Sequence, residues 1–168
     1  GAGDRILDRS PYGNNGTITG ATWTRLPSGL WCLSFDGTDD VVDCGVATLA
    51  NFTSESFSMS LWAYHNSSQH GTLISHCADS DLQGYRLHWT NGAVIQFWTY
   101  QASASQYSAT SAVVVNTTWF HIGIIRVGAV VDIYINGVKN VLTAGTHIDS
   151  VASTGTLKLG FYRPSDLN

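Results

Sequence analysis

The chain has 168 residues, of which 12% are charged, and its formal net charge is −4 at pH 7. One domain of this length can bury a substantial core, and an acidic chain offers no basic surface for nucleic acid. Its only lysines are Lys139 and Lys158, which argues against electrostatic binding to a membrane surface. No apolar run is long enough to span a bilayer, so membrane insertion is not expected.

Alternating apolar and polar residues, separated by turn-forming residues, predict strands along the whole chain. In chain order, the predicted strands are Thr17–Trp23, Leu30–Phe35, Asp40–Cys44, Ser56–His65, Gly71–Cys77, Gly84–Trp89, Ala93–Tyr100, Ala109–Val115, Thr118–Val127, Val130–Asn136, Val138–Thr143 and Thr156–Phe161. Asn91-Gly92 and Asn136-Gly137 mark tight hairpin turns between such strands. Short strands joined in this way predict an all-β chain folded as a two-sheet antiparallel β-sandwich.

The segment Trp119–Gly137 carries the clearest alternation in the chain. One set of its positions is apolar and is expected to be buried: Ile122, Ile124, Val131, Ile133 and Ile135. The alternate set is expected on the outer face: Trp119, His121, Asp132 and Tyr134. Antiparallel sheets commonly pack one face on the core and leave the other to solvent. The segment therefore predicts a sheet with one packed face and one face open to a ligand.

The three cysteines, Cys32, Cys44 and Cys77, are an odd number, so they cannot all pair with one another. Cys32 and Cys44 flank a predicted hairpin. A tight turn that pairs Phe35 with Asp40 would place the two sulfurs on opposite faces, whereas a loop one residue longer would place them opposite each other. Buried thiols and a disulfide both stay open at this point. A zinc site is not expected, because the sequence has no C-x-x-C spacing.

Four segments follow one another in an order that is informative about the family. They are the loop D-R-S-P-Y-G-N-N-G-T-I-T-G-A (Asp8–Ala21), the hairpin L-S-F-D-G-T-D-D-V-V (Leu33–Val42), the strand S-F-S-M-S-L-W-A (Ser56–Ala63) and the segment Trp119–Gly137. Together they resemble the concanavalin A-like jelly rolls of the laminin G-like kind. The resemblance implies a single domain over residues 1–168. Members usually carry a further strand at each end, so we expect either a fragment or a sheet edge that neighbouring chains cover.

Jelly rolls of this kind include glucan hydrolases, whose retaining chemistry needs two carboxylates about 5 Å apart. In the laminarinase-like members a Glu-x-Asp-x-x-Glu strand supplies them. Here the single glutamate, Glu55, precedes a strand, and Asp132 is the only aspartate well inside one. No Gly-x-Ser-x-Gly nucleophile motif occurs either. The sequence therefore predicts a domain that is not an enzyme.

Aromatic and hydrogen-bonding side chains at outward strand positions indicate a sugar-binding surface. A pyranose offers an apolar face to an aromatic ring and a rim of hydroxyls to polar groups. If their strands share one sheet, such side chains would line one groove. The predicted ligand-binding residues are Trp98, Tyr100, Arg86, His88, His121 and Tyr64. The alternative is that the rings cover the sheet, pack under loops or form an oligomer interface.

Turns crowded with Asp and Asn suggest calcium, a hard cation that takes six to eight oxygen ligands. The candidate ligands are Asp36, Asp39 and Asp40 in one hairpin and Asp8 and Asn14 in another loop. The resemblance supports this choice, because relatives often carry calcium in such loops. The alternative is that these residues only form turns, by bonding their own backbone.

These features together predict a recognition module that binds a glycan or glycoprotein at a cell or particle surface. The alternative is a structural subunit of an extracellular or viral assembly, such as a decoration, tail or appendage protein. In that case a homo-oligomer or a larger assembly would complete its sheets. The expected location is extracellular, on a cell surface or on a virion.

Overall fold

The computed structural model describes residues 2–66, 70–77, 82–102, 105–113, 117–140, 143–144 and 146–160. These ranges contain strands and a short 3₁₀ turn at Thr48–Ala50. Within them, no helix is both long enough and apolar enough to cross a membrane.

The strands follow one another closely along the chain. In order they are β1 (Arg5–Ile6), β2 (Gly16–Thr19), β3 (Thr22–Arg25), β4 (Trp31–Ser34), β5 (Val41–Asp43), β6 (Phe57–Tyr64), β7 (Gly71–His76), β8 (Leu82–Trp89), β9 (Val94–Ala102), β10 (Ser105–Val113), β11 (Trp119–Val127), β12 (Val130–Ile135), β13 (Val138–Lys139), β14 (Thr143–Ala144) and β15 (Lys158–Leu159).

These strands form two antiparallel sheets and a short ribbon. The large sheet has the order β1-β2-β5-β15-β7-β8-β9-β10-β14, and the small sheet has the order β13-β12-β11-β6. Strands β3 and β4 pair separately as a two-stranded ribbon. The prediction of an all-β, two-sheet antiparallel sandwich is confirmed.

The core lies between the inner faces of the two sheets. The large sheet contributes Leu87, Ile95 and Phe97, and the small sheet contributes Ile122, Ile124, Val131 and Ile133, all fully buried. Burying one side chain of this size contributes roughly 1.5–3 kcal/mol, which makes this layer the main source of stability. The predicted burial of Ile122, Ile124, Val131 and Ile133 is confirmed, whereas Ile135 is only half-buried.

The predicted strand Thr17–Trp23 is wrong as a single element. The chain bends at Gly20, which has a φ of +77°, so β2 joins the large sheet while β3 joins the ribbon. A Cβ at this position would lie 2.0 Å from Oδ1 of Asp40. Glycine is required at the bend because it tolerates both the positive φ and the close carboxylate.

Two further boundaries differ from the prediction because of pairing with neighbouring strands. Strand β10 begins at Ser105 rather than Ala109, since its polar first half continues the ladder with β9. The predicted strand Val138–Thr143 is divided: Val138 pairs with β12, whereas Thr143 pairs with β10 in the other sheet. The ends of the predicted strands at Val115 and Phe161 lie outside the described residues.

No disulfide joins Cys32 to Cys44, since both are thiols. The predicted hairpin between them is wrong, because the strand of Cys32, β4, pairs with β3 in the ribbon, whereas β5, which Cys44 follows, pairs with β2 and β15 in the large sheet. Burial, and then the charges of Asp43 and Asp8, raise the pKa of the Cys44 thiol. Of the two possibilities left open by the sequence, the thiols are the one observed.

Candidate functional site

The predicted ligand-binding residues lie on two separate surfaces. Arg86, His88, Trp98 and Tyr100 lie on β8 and β9 of the large sheet, at positions alternate to the core residues. Tyr64 and His121 lie on β6 and β11 of the small sheet, facing away from the same core. The expectation that these residues line one groove is therefore wrong. Strand parity indicated correctly that each side chain faces outward, but it carries no information about which sheet a strand joins.

The outer face of the large sheet carries a layer of near-parallel rings, which we call the large-face aromatic layer: His88, Trp98, Tyr100 and Tyr107. Trp98 and Tyr107 are cross-strand partners, and their ring centroids are 4.6 Å apart with an interplanar angle of 23°. The Trp98 ring also stacks with His88 and Tyr100, at interplanar angles of 24° and 16°. The Arg86 guanidinium carbon lies 5.9 Å from the centroid of the Tyr100 ring. These rings therefore pack mainly against each other.

Polar groups in this layer bind to each other as well. Oε1 of Gln96 accepts hydrogen bonds from the Trp98 indole N–H and from Nε2 of His88, each at 3.0 Å. Because the indole can only donate, the shared atom is an acceptor, and Nε2 of His88 must carry the proton. Burial, followed by the charge of Arg86, lowers the pKa of His88 to about 3, so the ring is neutral at pH 7.

Little of this layer remains accessible to a ligand. His88 and Tyr100 are only 7% and 6% exposed, and the neighbouring Arg86 is 9% exposed. The half-buried Trp98 and the 41% exposed Tyr107 are the parts of the layer at the surface. A ligand-binding role for Trp98, Tyr100, Arg86 and His88 stays a prediction. Their geometry gives them a definite role in packing.

The outer face of the small sheet contains a groove of about 360 Å³, which we call the small-face groove. The residues along it include Ser58, Ser60, His121, Gly123, Ile125, Tyr134 and Gly137. Ser60, Gly123 and Tyr134 are cross-strand neighbours on β6, β11 and β12, so they lie side by side across its floor. In the next row, Trp62 pairs with His121, and their rings are 5.4 Å apart at 58°. Trp62 is 65% exposed.

The groove exists because Gly123 has no side chain. A Cβ added there would find only Cβ of Tyr134, at 3.6 Å, and Cε1 of His121, at 4.0 Å, within contact distance. Sequence reasoning missed this residue. An isolated glycine inside an otherwise apolar strand was the available indication, since it often marks a place where another group approaches the backbone.

Hydrogen-bonding groups around the small-face groove are free to bind a ligand. Within the described part of the chain, no hydrogen bond engages the side-chain polar atoms of Trp62, His121, Ser58, Ser60 or Tyr134. The nearby charges cancel, because Lys139 Nζ lies 2.8 Å from Oδ1 of Asp132. The groove thus combines an exposed aromatic ring, open donors and acceptors, and little net charge.

The predicted calcium ligands divide between two loops. Asp36, Asp39 and Asp40 each place one carboxylate oxygen within 4.8 Å of the others, which suits a cation. Asp8 instead closes its own loop, accepting the backbone N–H groups of Ser10 and Asn14 and the Ser10 hydroxyl. These hydrogen bonds lower the pKa of Asp8. The turn-forming interpretation therefore describes Asp8, and it also describes Asp40 and Asp36, whose carboxylates accept the backbone N–H groups of Asp36 and Thr38. Calcium binding stays a prediction.

A serine–histidine pair occurs inside the protein. The hydroxyl of Ser108 lies 2.8 Å from Nε2 of His147, and the hydroxyl of Thr99 lies 3.0 Å from Nδ1. Ser108 and His147 are fully buried, and burial followed by the charge of Arg126 lowers the pKa of His147 to about 4. A substrate has no route to this hydroxyl. The pair instead anchors the chain around His147 to the large sheet.

Sheet order, antiparallel pairing and a core between two layers define a jelly-roll β-sandwich with a grooved outer face. A laminin G-type family model, described as the concanavalin A-like lectin/glucanases superfamily, matches residues 36–165. The chain belongs to this superfamily, as the four sequence segments indicated. A comparison with curated proteins found no match.

Several solved structures share the fold. The chain is similar to the binding domain of Paraclostridial Mosquitocidal Protein 1, with a TM-score of 0.73 and 16% identity over 97% of this chain and 43% of that one. It is similar to botulinum neurotoxin type C, described as interacting with two ganglioside molecules, with a TM-score of 0.65 and 18% identity over 98% and 44% of the two chains. The chain thus spans less than half the length of these toxin chains.

A third similar structure is domain 4 of AbnA, a GH43 extracellular arabinanase from Geobacillus stearothermophilus, solved in complex with arabinotriose. It has a TM-score of 0.65 and 20% identity, over 89% of this chain and 75% of that one. At these identities, the three similarities establish the fold.

Proposed function

We propose that this domain recognises carbohydrate without catalysis and that the small-face groove is the binding site. The observation that carries the proposal is the exposed Trp62 ring beside unengaged groups of His121, Ser60 and Tyr134. A sugar ring can stack on the indole while its hydroxyls bind these groups. The arabinotriose bound to the arabinanase domain and the gangliosides of the botulinum neurotoxin support a sugar ligand.

The partner we propose is a glycan or glycoprotein outside the cell or at a cell surface. One shallow site gives modest affinity, with a Kd on the order of 10⁻³ to 10⁻⁵ M, so several copies of the domain would be needed for tight attachment. The groove carries little net charge, which favours neutral sugars over acidic ones.

Filling the groove tests the proposal without removing any binding group. Gly123→Val adds a branched side chain to a strand position that has open space above it, so the domain should still fold. We expect at least a tenfold loss of affinity for the sugars that a glycan array selects, measured by calorimetry. Gly92→Ala is the matched control, because a Cβ there meets only Oγ1 of Thr90, at 3.7 Å. Unchanged sugar binding in the folded Gly123→Val variant would exclude this groove as the site.

We propose calcium as a structural ion at Asp36, Asp39 and Asp40. Bound calcium would tie the β4–β5 turn together through their carboxylates, and Asp40 is already 92% buried there (8% exposed). Calcium at ten times its Kd would stabilise the fold by about 1.4 kcal/mol. The melting temperature should therefore rise with CaCl₂ in the natural protein and stay constant in Asp39→Asn. A melting temperature that is the same in CaCl₂ and EDTA would rule out the ion.

A second candidate function, a subunit of a larger assembly, is favoured by the position of β6. This eight-residue strand is the last one of the small sheet as far as the described residues show, and such an edge can pair with a strand of another chain. Light scattering distinguishes the two candidates: a defined oligomer would favour the assembly, whereas a monomer would favour an independent recognition module.

A further inference from the structure

An apolar surface continues from the small-face groove toward the β11–β12 turn. We call it the valine shelf: Ile125, Val127 and Val130. Ile125 is 40% exposed and also lines the groove, and the cross-strand partners Val127 and Val130 are 66% and 56% exposed. Residues two apart on a strand are about 7 Å apart, so the shelf begins directly beside the groove. Single exposed valines need no explanation, but a contiguous group next to a binding groove does.

The turn that carries the shelf is held firmly from inside. Nε of Arg126 donates to the carbonyl of Gly128 at 2.8 Å, and the backbone N–H of His147 donates to the carbonyl of Ala129 at 2.9 Å. The N–H of Gly128 is bound by Oγ of Ser56 at 3.3 Å. Arg126 itself is 1% exposed and also contacts Asp149. The apolar side chains are thus presented at a fixed position, which lowers the entropy cost of binding.

We infer that the ligand is a glycoside with an apolar aglycone, the chemistry of a glycolipid: the groove binds the sugar and the valine shelf binds the first part of the alkyl chain. This inference rests on the proposed sugar-binding function of the groove. A sugar whose anomeric substituent points toward Ile125 places that substituent over Val127 and Val130. Burying two methylene groups there would strengthen binding about tenfold, at about 0.8 kcal/mol for each group.

The test compares methyl glycosides with n-octyl glycosides of glucose, galactose and N-acetylglucosamine, all below their micelle concentrations. Calorimetry would measure the affinity for the methyl and the octyl glycoside of each sugar, with the natural protein and with the double variant Val127→Thr/Val130→Thr. Threonine keeps the branched shape that suits a strand, so the turn should be preserved while its apolar surface is reduced. Gly123→Val serves as the second control, because it closes the groove and leaves the shelf unchanged.

We expect the octyl glycoside of a bound sugar to bind about tenfold more tightly than its methyl partner. This gain should fall to less than threefold in the threonine variant, while the affinity for the methyl glycoside is retained. Equal binding of the two forms would overturn the inference and leave the sugar site intact. If the octyl glycoside still binds about tenfold more tightly than the methyl glycoside in either variant, the inference is also overturned, because the alkyl group would then bind elsewhere on the protein. If no glycoside binds in either form, the proposed function fails and the inference fails with it.

Discussion

The two outer faces of the sandwich carry similar residues and use them differently. On the large sheet, Trp98 is opposite Tyr107 across the strands, and Gln96 binds both the indole and His88. On the small sheet, Tyr134 is opposite Gly123, so the space above the strand stays open and the polar groups stay unengaged. The comparison teaches that a small residue such as Gly123 leaves room for a ligand above a strand, whereas large rings that stack across neighbouring strands use the same space for packing.

The largest expected effect on stability comes from removing the guanidinium group of Arg126, which holds the β11–β12 turn at one end of the small sheet. Arg126→Met removes hydrogen bonds to the carbonyls of Gly128 and Thr53 and the contact with Asp149. Losing these hydrogen bonds from a charged donor, and leaving the buried carbonyl of His147 without its contact to Arg126, should lower the free energy of unfolding by about 3 kcal/mol. Urea unfolding would measure the loss. A loss below about 1 kcal/mol would mean that the turn is held by its own backbone instead.

Trp98→Ala should destabilise the protein without weakening sugar binding. The half-buried indole stacks on Tyr107 and donates to Gln96, so its removal should cost about 2–3 kcal/mol, somewhat less than for a fully buried ring. Sugar affinity should change less than twofold. The opposite result, a variant that unfolds normally but has lost its ligand, would move the binding site to the large face.

Lowering the pH should reduce the free energy of unfolding, because two histidines are buried in the folded protein. The pKa values of His88 and His147 are lowered to about 3 and about 4, whereas an unfolded histidine titrates near 6.5. The unfolded chain therefore binds protons first, and stability is lost as the pH falls from about 6.5 toward 4. Each group contributes at most about 1.4 kcal/mol per pH unit.

Urea unfolding of the natural protein and of His88→Gln, measured between pH 7 and pH 4, isolates the part of the pH dependence of stability that comes from His88 on the large face. The slope of stability against pH should be smaller in the variant than in the natural protein. Identical slopes would show that His88 is already accessible to protons in the folded state.

The smallest effect on stability is expected for Trp62→Ala. Its ring is 65% exposed, so the free energy of unfolding should change by less than about 1 kcal/mol. Sugar affinity should nevertheless fall about two- to tenfold, because an aromatic stacking contact is worth about 0.5–1.5 kcal/mol. Trp98→Ala is the matched control on the other face. A Trp62→Ala variant that binds sugar normally would remove the main support for the small-face groove.

Much of the fold could be predicted from local pattern. The alternation from Trp119 to Gly137 indicated the burial of Ile122, Ile124 and Ile133, because side chains on a strand alternate strictly between its two faces. The early start of β10 could not be predicted in the same way. Its polar first residues are held as a strand by pairing with β9, and such pairing overrides local propensity.

The candidate site was predicted only in part. Tyr64 and His121 were correctly placed on an outer face, but they were grouped with Arg86 and Trp98, which lie on the opposite side of the core. Gly123 was not identified, although it creates the groove. A side chain's direction is a local property, whereas the identity of its cross-strand neighbours depends on residues far away in the chain.

The sequence by itself determined the all-β class, the family and the inward or outward direction of each strand residue, because these follow from short-range periodicity and local motifs. Only the tertiary structure decided which strands became neighbours. That choice buried His88 beside the Trp98 ring and Arg86 beside the Tyr100 ring, and it left Trp62 beside an open groove, since the room around a side chain depends on the residues that surround it.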